Sequence, residues 1–358
     1  MIGFVLGTRP EVLKLGPVIE KIPAEERCII WTGQHWSPEL AATVMRDASL
    51  PTPDRFVQWH GAHPVDGFSR VAYMLNDLGH KLSEGHWKWV VVQGDTDSAL
   101  AGALAAAKLG IPVFHVEAGC RSGDRRQPEE LNRVLIDHAM YMGSCAYGCD
   151  LGNLAHEAIF TTLREPALRQ AIMSGDTLID SLVAWREKHP EQDRASDNIV
   201  ATIHRAETLE DKQALSEIMG FLSELGAGNQ GHVVLYVHPH LAQMLERNGI
   251  EKPPGVAWVE PLAPSEFRSV LSRARACVTD SGGVATEAAR FGVPCLIPRD
   301  VTELRDLHAC GRVVVGGRTR ESLWEHYWEC KRDAPLSPEV EAAWSGHASE
   351  RIAEVLRG

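Results

Sequence analysis

Short apolar runs alternate with longer stretches rich in Ala and Leu almost from end to end of the chain. The runs are IGFVL, CIIWTG, RFVQW, WVVVQGD and VFHVEAG, followed by IVATIH, VVLYVH, VAWVEP, ACVTDSG, CLIP and VVVGG. This alternation is the pattern of βαβ units wound around parallel sheets. Between WVVVQGD and VFHVEAG, the stretch TDSALAGALAAAKLG offers Asp95, Thr96 or Asp97 as a cap at its start and Gly110 at its end, which predicts a crossover helix. The series weakens over residues 160–198, where turn signals and polar stretches replace a clear strand. A division there gives an N-terminal domain over 1–168, a second over 169–340, and a C-terminal helix in 341–358 expected to pack back on the first. The predicted fold class is α/β, two doubly wound Rossmann-like domains facing across a cleft lined by the carboxyl ends of their strands, where such sheets bind ligands.

Composition narrows the function classes. With 358 residues, of which 44% are hydrophobic, the chain can bury a core in each domain. The opening MIGFVLGTRPEVLKLGP breaks at Gly7 and lacks the basic leader and small-residue cleavage site of a signal peptide. No apolar run approaches the roughly 18 residues that span a bilayer. The expectation is a soluble cytoplasmic protein with no membrane partner. Of the eight cysteines, several sit inside apolar segments such as ERCIIW, RACVTD and VPCLIP, as buried thiols do. Cys145 and Cys149 are four apart, with Cys120 upstream, but no CxxC pair and no regular His spacing accompanies them, so no metal is expected. A net charge of −12 argues against nonspecific nucleic-acid binding, and an anionic ligand then needs a local positive site.

Charged and polar residues collect just after the strands. After the first come Gly7, Arg9 and Lys14, with Pro10 suited to a helix start; the two cations are either phosphate ligands or an exposed basic pair. After the fourth comes Asp95, whose plain role would be helix capping. Glu117 occupies the same place one βα unit later, and adjacent parallel strands would bring both acids to one rim, which capping alone explains poorly. Glu117 also opens a dense charged stretch, HVEAGCRSGDRRQPEELNR, at residues 115–133. In the second half a strand ends in His204 and Arg205, followed by Glu207. Another ends in Asp280, Ser281, Gly282 and Gly283 and leads into a helix carrying Glu287. Glycines admit a close ligand, and the exposed N–H groups at a helix start suit a diphosphate, while Glu287 suits ribose hydroxyls. His238, Pro239 and His240 also follow a strand and read as loop or supporting residues.

Taken together, GTRPEVLKLGPVI, TGQH, GDTDSALAGALAA, HVEAGCRSGD, PEELNR, GDTLID, HRAET, VHP and TDSGGVATEAARFGVP resemble the non-hydrolysing UDP-N-acetylglucosamine 2-epimerases, in that family's order from residue 3 to about 300. The resemblance implies a glycosyltransferase-B architecture and a cofactor-free inversion at C2 of a UDP-linked acetamido sugar. The C2 proton is not acidic enough for simple removal. The family therefore breaks the anomeric C1–O bond, a carboxylate takes the acidified proton, and a glycal and UDP stay bound until proton return on the other face and re-addition. Carboxylates near the ring and cations on the leaving diphosphate are what this needs. By resemblance, Asp95, Glu117 and Glu129 are the catalytic acids and His204 lies near the leaving phosphate. Arg9, Lys14 and Arg133 contact substrate, Ser281, Gly282 and Gly283 form the diphosphate loop, Glu287 meets ribose, and Leu262 and Phe267 lie beside uracil. A homodimer is also implied.

Departures from the family pattern bear on the substrate. The connection GDRRQPEE is shortened, and TELRD puts Leu304 where an arginine is expected, with Arg305 next to it. WSPEL after TGQH, and FVQWHGAHPVDGFSR, lack residues that serve a second, activating UDP-sugar site in many bacterial members, so activation by substrate is not expected. The competing readings are a hydrolysing 2-epimerase releasing free N-acetylmannosamine and UDP, an epimerase acting on a modified sugar, a glycosyltransferase of the same architecture, and a non-catalytic nucleotide-sugar binder. The trio of acids speaks against the last two.

Overall fold

In the computed structural model, the described residues are 1–34, 45, 46, 48, 50–59, 66–159, 170–190, 196–228, 232–332 and 334–358. The first five apolar runs become β1 (Ile2–Leu6), β2 (Arg27–Trp31), β3 (Arg55–Phe56), β4 (Trp89–Gln93) and β5 (Val113–Val116). With β6 (Met142–Cys145) and β7 (Gln170–Met173) they form a parallel sheet in the order β3-β2-β1-β4-β5-β6-β7. The later runs become β8 (Asn198–Thr202), β9 (His232–Tyr236), β10 (Val256–Val259), β11 (Ala276–Thr279), β12 (Cys295–Ile297) and β13 (Val313–Val315). Their order, β10-β9-β8-β11-β12-β13, repeats the doubly wound plan. In each sheet the winding reverses beside its first strand, between β1 and β4 and between β8 and β11, and there the loops leaving the carboxyl ends diverge to leave room for a ligand.

Two compact units result. One comprises Met1–Arg121, Gln127–Val183 and Glu341–Gly358, the other Ser122–Arg126 and Ala184–Val340. The first unit runs past the division expected at residue 168. The stretch read as lacking a strand contains β7, which pairs with β6 from Met142↔Gln170 to Cys145↔Met173. Neither of these four-residue strands is rich in β-branched or aromatic residues, so the pairing, more than propensity, makes them strands. The expected single closing helix is instead two, Pro338–Ala343 and Ala348–Arg357. The Asp180 carboxylate accepts the buried Ala348 and Ser349 amides at 3.2 and 2.6 Å, satisfying N–H groups that have no partner within the helix where it begins.

Alternation of side chains along the strands sorts the first core into two faces. Val5, Ile30, Val90 and Val92 pack with Ala99, Ala101 and Ala103 of the helix Asp97–Lys108. Phe4, Leu6, Ile29 and Val91 pack with Val12, Leu15 and Ile19 and with Ile352 and Leu356 of the last helix. Burial on both faces explains why the strands read as continuous apolar runs. The second unit has its own core, built on Ile199, Ala201, Leu235, Val278 and Leu296 with the helix Lys212–Ala227. The expectation that no second UDP-sugar site is present rests on WSPEL, residues 36–40, and FVQWHGAHPVDGFSR, residues 56–70; of these, 36–40 and 60–65 lie outside the described residues.

Candidate active site

In the first unit, the loops after β4 and β5 carry two acids side by side, because these strands are paired through Gln93↔Val116. Thr96, not Asp95, caps the helix Asp97–Lys108, its hydroxyl accepting the Ala99 amide at 3.0 Å. Asp95 is thereby left for another partner, and the Arg133 guanidinium donates to its Oδ2. Arg133 is buried on the helix Pro128–Ala139 and also pairs with Glu130 at 3.1 Å. From the same helix, Asn132 donates to the Asp95 carbonyl at 2.9 Å. Glu129, half-buried, lies in the first turn of that helix, four residues before Arg133.

Glu117 has φ = 72°, a left-handed conformation that costs a non-glycine residue energy and is found disproportionately at functional sites. The Glu117 and Ala118 amides hold this turn by donating to Ser144 O at the end of β6, at 3.0 and 2.9 Å. Lys14 donates to both Glu117 carboxylate oxygens, at 2.8 and 2.6 Å, and Gln93 donates to Oε2 as well. Burial disfavours the Lys14 charge, but the opposing charges of Glu117 and Asp176 outweigh it and hold the ammonium above its ordinary range. Burial raises the carboxyl of Asp176 itself, with Lys14 pulling the other way; the Tyr147 hydroxyl donates to it at 3.1 Å and Trp344 Nε1 to Tyr147 at 3.0 Å. His115 lies 2.6 Å from Asp137 and 2.9 Å from the Gly94 carbonyl, and Asp137 accepts the Gly119 amide at 3.0 Å, so the pair joins the turns after β4 and β5. Asp137 is buried, which alone would raise its carboxyl; His115 and Arg121 beside it and the Gly119 amide bring it below the ordinary value.

In the second unit, fully buried Asp280 at the end of β11 gathers the loop after β8. The His204 amide donates to both of its oxygens at 3.0 Å and the Arg205 amide to Oδ2 at 2.9 Å. The His204 ring is exposed, with Nδ1 3.3 Å from Asp280. Ser281 caps the helix Gly282–Arg290. A Cβ on Gly282 would sit 2.5 Å from Glu303 Oε1, whereas one on Gly283 would meet nothing within 4 Å. Glu303 is held by Arg205 at 3.4 Å and by Arg299 at 3.0 Å. Among the described residues, no cluster of His, Cys, Asp or Glu is arranged to hold a metal. No helix among them is long and apolar enough to cross a membrane.

A sequence model of the UDP-N-acetylglucosamine 2-epimerase family matches residues 19–357. The chain belongs to this family. It is 33% identical over 358 residues to a UDP-2,3-diacetamido-2,3-dideoxy-D-glucuronate 2-epimerase of Pseudomonas aeruginosa, covering 98% of each chain. It is 32% identical over 342 residues, 90% of each chain, to the UDP-N-acetylglucosamine 2-epimerase of Methanocaldococcus jannaschii. A crystal structure of the M. jannaschii UDP-GlcNAc 2-epimerase in complex with UDP-GlcNAc and UDP superposes with a TM-score of 0.87 at 29% identity over 99% of each chain. The two parallel sheets are thus those of the glycosyltransferase-B architecture, and the chain is an epimerase-family enzyme of nucleotide sugars.

Within this 2-epimerase frame, the structure brings Asp95, Glu117, Lys14 and Arg133 together at the β4 and β5 ends, with Arg9 at the first position of the helix Arg9–Glu20. Lys14, read from sequence as a phosphate ligand or one of an exposed basic pair, is largely buried and paired with Glu117. Ser281, Gly282 and Gly283 share a loop with the residue that anchors His204. Glu287 is buried and already engaged by Arg268 at 3.0 Å, so a ribose hydroxyl would have to share that carboxylate. Phe267 is buried, edge-on to Tyr236 at 5.2 Å, while Leu262 is half-buried just before its helix Pro264–Leu271. His238 is the helix cap of Pro239–Asn248; partial burial, with His204 and His240 nearby, lowers its pKa.

Sequence reasoning missed Glu130, Gln93, Asp137 and Asp176, whose importance lies in which side chain each one touches. It also left the arginines of the shortened connection unplaced. Ser122–Arg126 groups with the second unit, and exposed Arg126 is paired with Asp124 at 2.8 Å. Arg305 is exposed at the start of the helix Arg305–Ala309, its guanidinium 3.5 Å from where a Gly123 Cβ would stand.

Proposed function

We propose that the protein interconverts the C2 epimers of a UDP-linked 2-acetamido sugar without net hydrolysis, most directly UDP-N-acetylglucosamine and UDP-N-acetylmannosamine. The C1–O bond breaks with its electron pair going to the UDP phosphate oxygen. The C2 proton passes to a carboxylate, and a C1–C2 double bond forms. Proton delivery to the opposite face of C2 and return of the UDP oxygen to C1 complete an isomerisation that consumes nothing.

The observation that supports this reading is the placement of Asp95 and Glu117 on adjacent strand ends, each already paired with a cation from a different helix, Arg133 and Lys14. Such a carboxylate is pre-oriented, and its cation can turn to the substrate when one binds. Asp95, Glu117 and Glu129 are assigned the proton transfers. Arg9, Lys14 and Arg133 are assigned to charge on the substrate, and His204 to the leaving phosphate. Ser281, Gly282 and Gly283 offer helix-start amides to the diphosphate. Glu287, shared with Arg268, is assigned to ribose, and Leu262 and Phe267 to the uracil side.

A second reading keeps the reaction and changes the sugar to a 2,3-diacetamido uronate. It is favoured by the likeness to the Pseudomonas protein over 98% of both chains and by Leu304 in place of an arginine. The deciding experiment incubates the enzyme with each UDP-sugar in deuterated water and follows C2 by NMR. Deuterium entering C2 of the intact UDP-sugar is the expected result, and the faster sugar names the substrate. Free N-acetylmannosamine and UDP would instead mean a hydrolysing enzyme. Absence of exchange with both sugars would overturn the assignment.

A further inference from the structure

Glu11 lies inside the GTRPE motif, and no substrate role has been given to it above. Its side chain is fully buried, yet it receives donors from two separate strand ends. Oε2 accepts the Gly7 amide at 2.9 Å and the Thr8 hydroxyl at 2.8 Å, both in the turn after β1. Oε1 accepts the Thr96 hydroxyl at 2.7 Å, in the turn after β4. Since Thr96 spends its proton on Glu11, its lone pairs remain to accept the Ala99 amide and cap the next helix, so one hydroxyl serves both contacts. The turn leaves no slack: a Cβ on Gly7 would lie 1.8 Å from the Thr32 hydroxyl and 2.4 Å from that of Ser98, which are themselves bonded at 2.6 Å. Thr8 immediately precedes Arg9, and Thr96 immediately follows Asp95.

We infer that Glu11 is a positioning residue that locks the turn carrying Arg9 to the turn carrying Asp95, holding Asp95 in register with Arg133. This rests on the functional reading above for the roles of Asp95 and Arg9. A buried carboxylate held by hydroxyl and backbone donors from both turns can be this rigid because no water competes for its oxygens. Burial pushes its carboxyl up to about 7 even against those donors, so near neutrality the tie also depends on its ionisation.

The test compares Thr96→Val, which removes the hydroxyl with little change of shape, with Thr96→Ser, which keeps it. Thr96→Val should lower kcat for C2 exchange about 10- to 100-fold, as a misplaced catalytic group does. KM and UDP affinity should stay within about threefold, and Thr96→Ser should restore turnover. Amide hydrogen exchange at Gly7 should quicken about tenfold in Thr96→Val and not in Thr96→Ser; loss of the helix cap alone would leave this other turn untouched. Turnover within twofold of wild type in Thr96→Val, or kcat and UDP affinity falling together, would overturn the inference. Should the wild type turn over no UDP-acetamido sugar, the functional reading fails, while exchange at Gly7 still decides whether the tie exists.

Discussion

The two units use the same sheet plan and the same kind of strand end, and they furnish them differently. At the β4 and β5 ends of the first unit, acids are paired with cations: Asp95 with Arg133, Glu117 with Lys14, Asp97 with Arg70 at 2.8 Å, Asp137 with Arg121. At the β8 and β11 ends of the second unit, one buried acid, Asp280, is consumed in holding backbone amides, and the loop it organises presents an exposed imidazole and an open glycine. The first arrangement suits moving protons, where a carboxylate needs a set orientation and a partner that can change. The second suits receiving a bulky anion, where main-chain N–H groups must be approachable. The repeated fold is thus furnished in two ways because its loops, not its sheets, differ.

The sharpest way to test that division is to neutralise the first unit's acids. Asp95→Asn, Glu117→Gln or Glu129→Gln should each slow C2 deuterium exchange by about 10²–10⁴-fold. UDP binding measured by calorimetry should remain within a few-fold of wild type. Equal loss of both would erase the division of labour.

Glu11 gives the next largest effect. Its folded-state pKa, about 7, lies above the ordinary 4.5, so the folded protein binds this proton more tightly than the unfolded chain does. Its contribution to stability is therefore fully present below about pH 4.5 and is lost as pH rises through about 7, by at most about 3 kcal/mol. Denaturant unfolding at pH 5.5 and 8 should show a smaller pH difference in Glu11→Gln than in wild type. An unchanged slope would mean that Glu11 stays ionised throughout.

Two neighbouring glycines sharpen the second unit's side of the comparison. Gly282→Ala drives a Cβ to within 2.5 Å of Glu303 and should destabilise the protein by about 1–3 kcal/mol. Gly283→Ala meets nothing within 4 Å and should leave unfolding within about 0.5 kcal/mol of wild type. If the diphosphate approaches this backbone, Gly283→Ala should nevertheless weaken UDP binding about tenfold, because bound ligand fills the open space. Unchanged UDP affinity in Gly283→Ala would move the diphosphate elsewhere.

Much of the site was legible because its signals are local. A strand end followed by Asp95, another followed by Glu117, and a serine and two glycines opening a helix can be seen within a dozen residues each, and β4 and β5 do pair as their adjacency in sequence suggested. What could not be read was partnership. Lys14 read as a phosphate ligand or one of an exposed basic pair, and nothing near it in sequence announced its contact with Glu117, a residue 103 positions away. For Glu287 the sequence showed no sign of Arg268, which pairs with it from another helix. β7 was hidden because QAIM has little strand character of its own and becomes a strand by pairing with β6.

The sequence alone determined the alternation of elements, the parallel sheets, the family motifs and which acids stand at strand ends, since apolar periodicity, turn chemistry and motif spacing are written within short windows of chain. Only the tertiary structure decided which charge neutralises which, that Thr96 and not Asp95 caps its helix, and that Glu11 joins two turns 85 residues apart. The reason is that electrostatics and hydrogen bonding depend on distances of a few ångströms in space, and those distances do not exist until strands remote in sequence lie side by side.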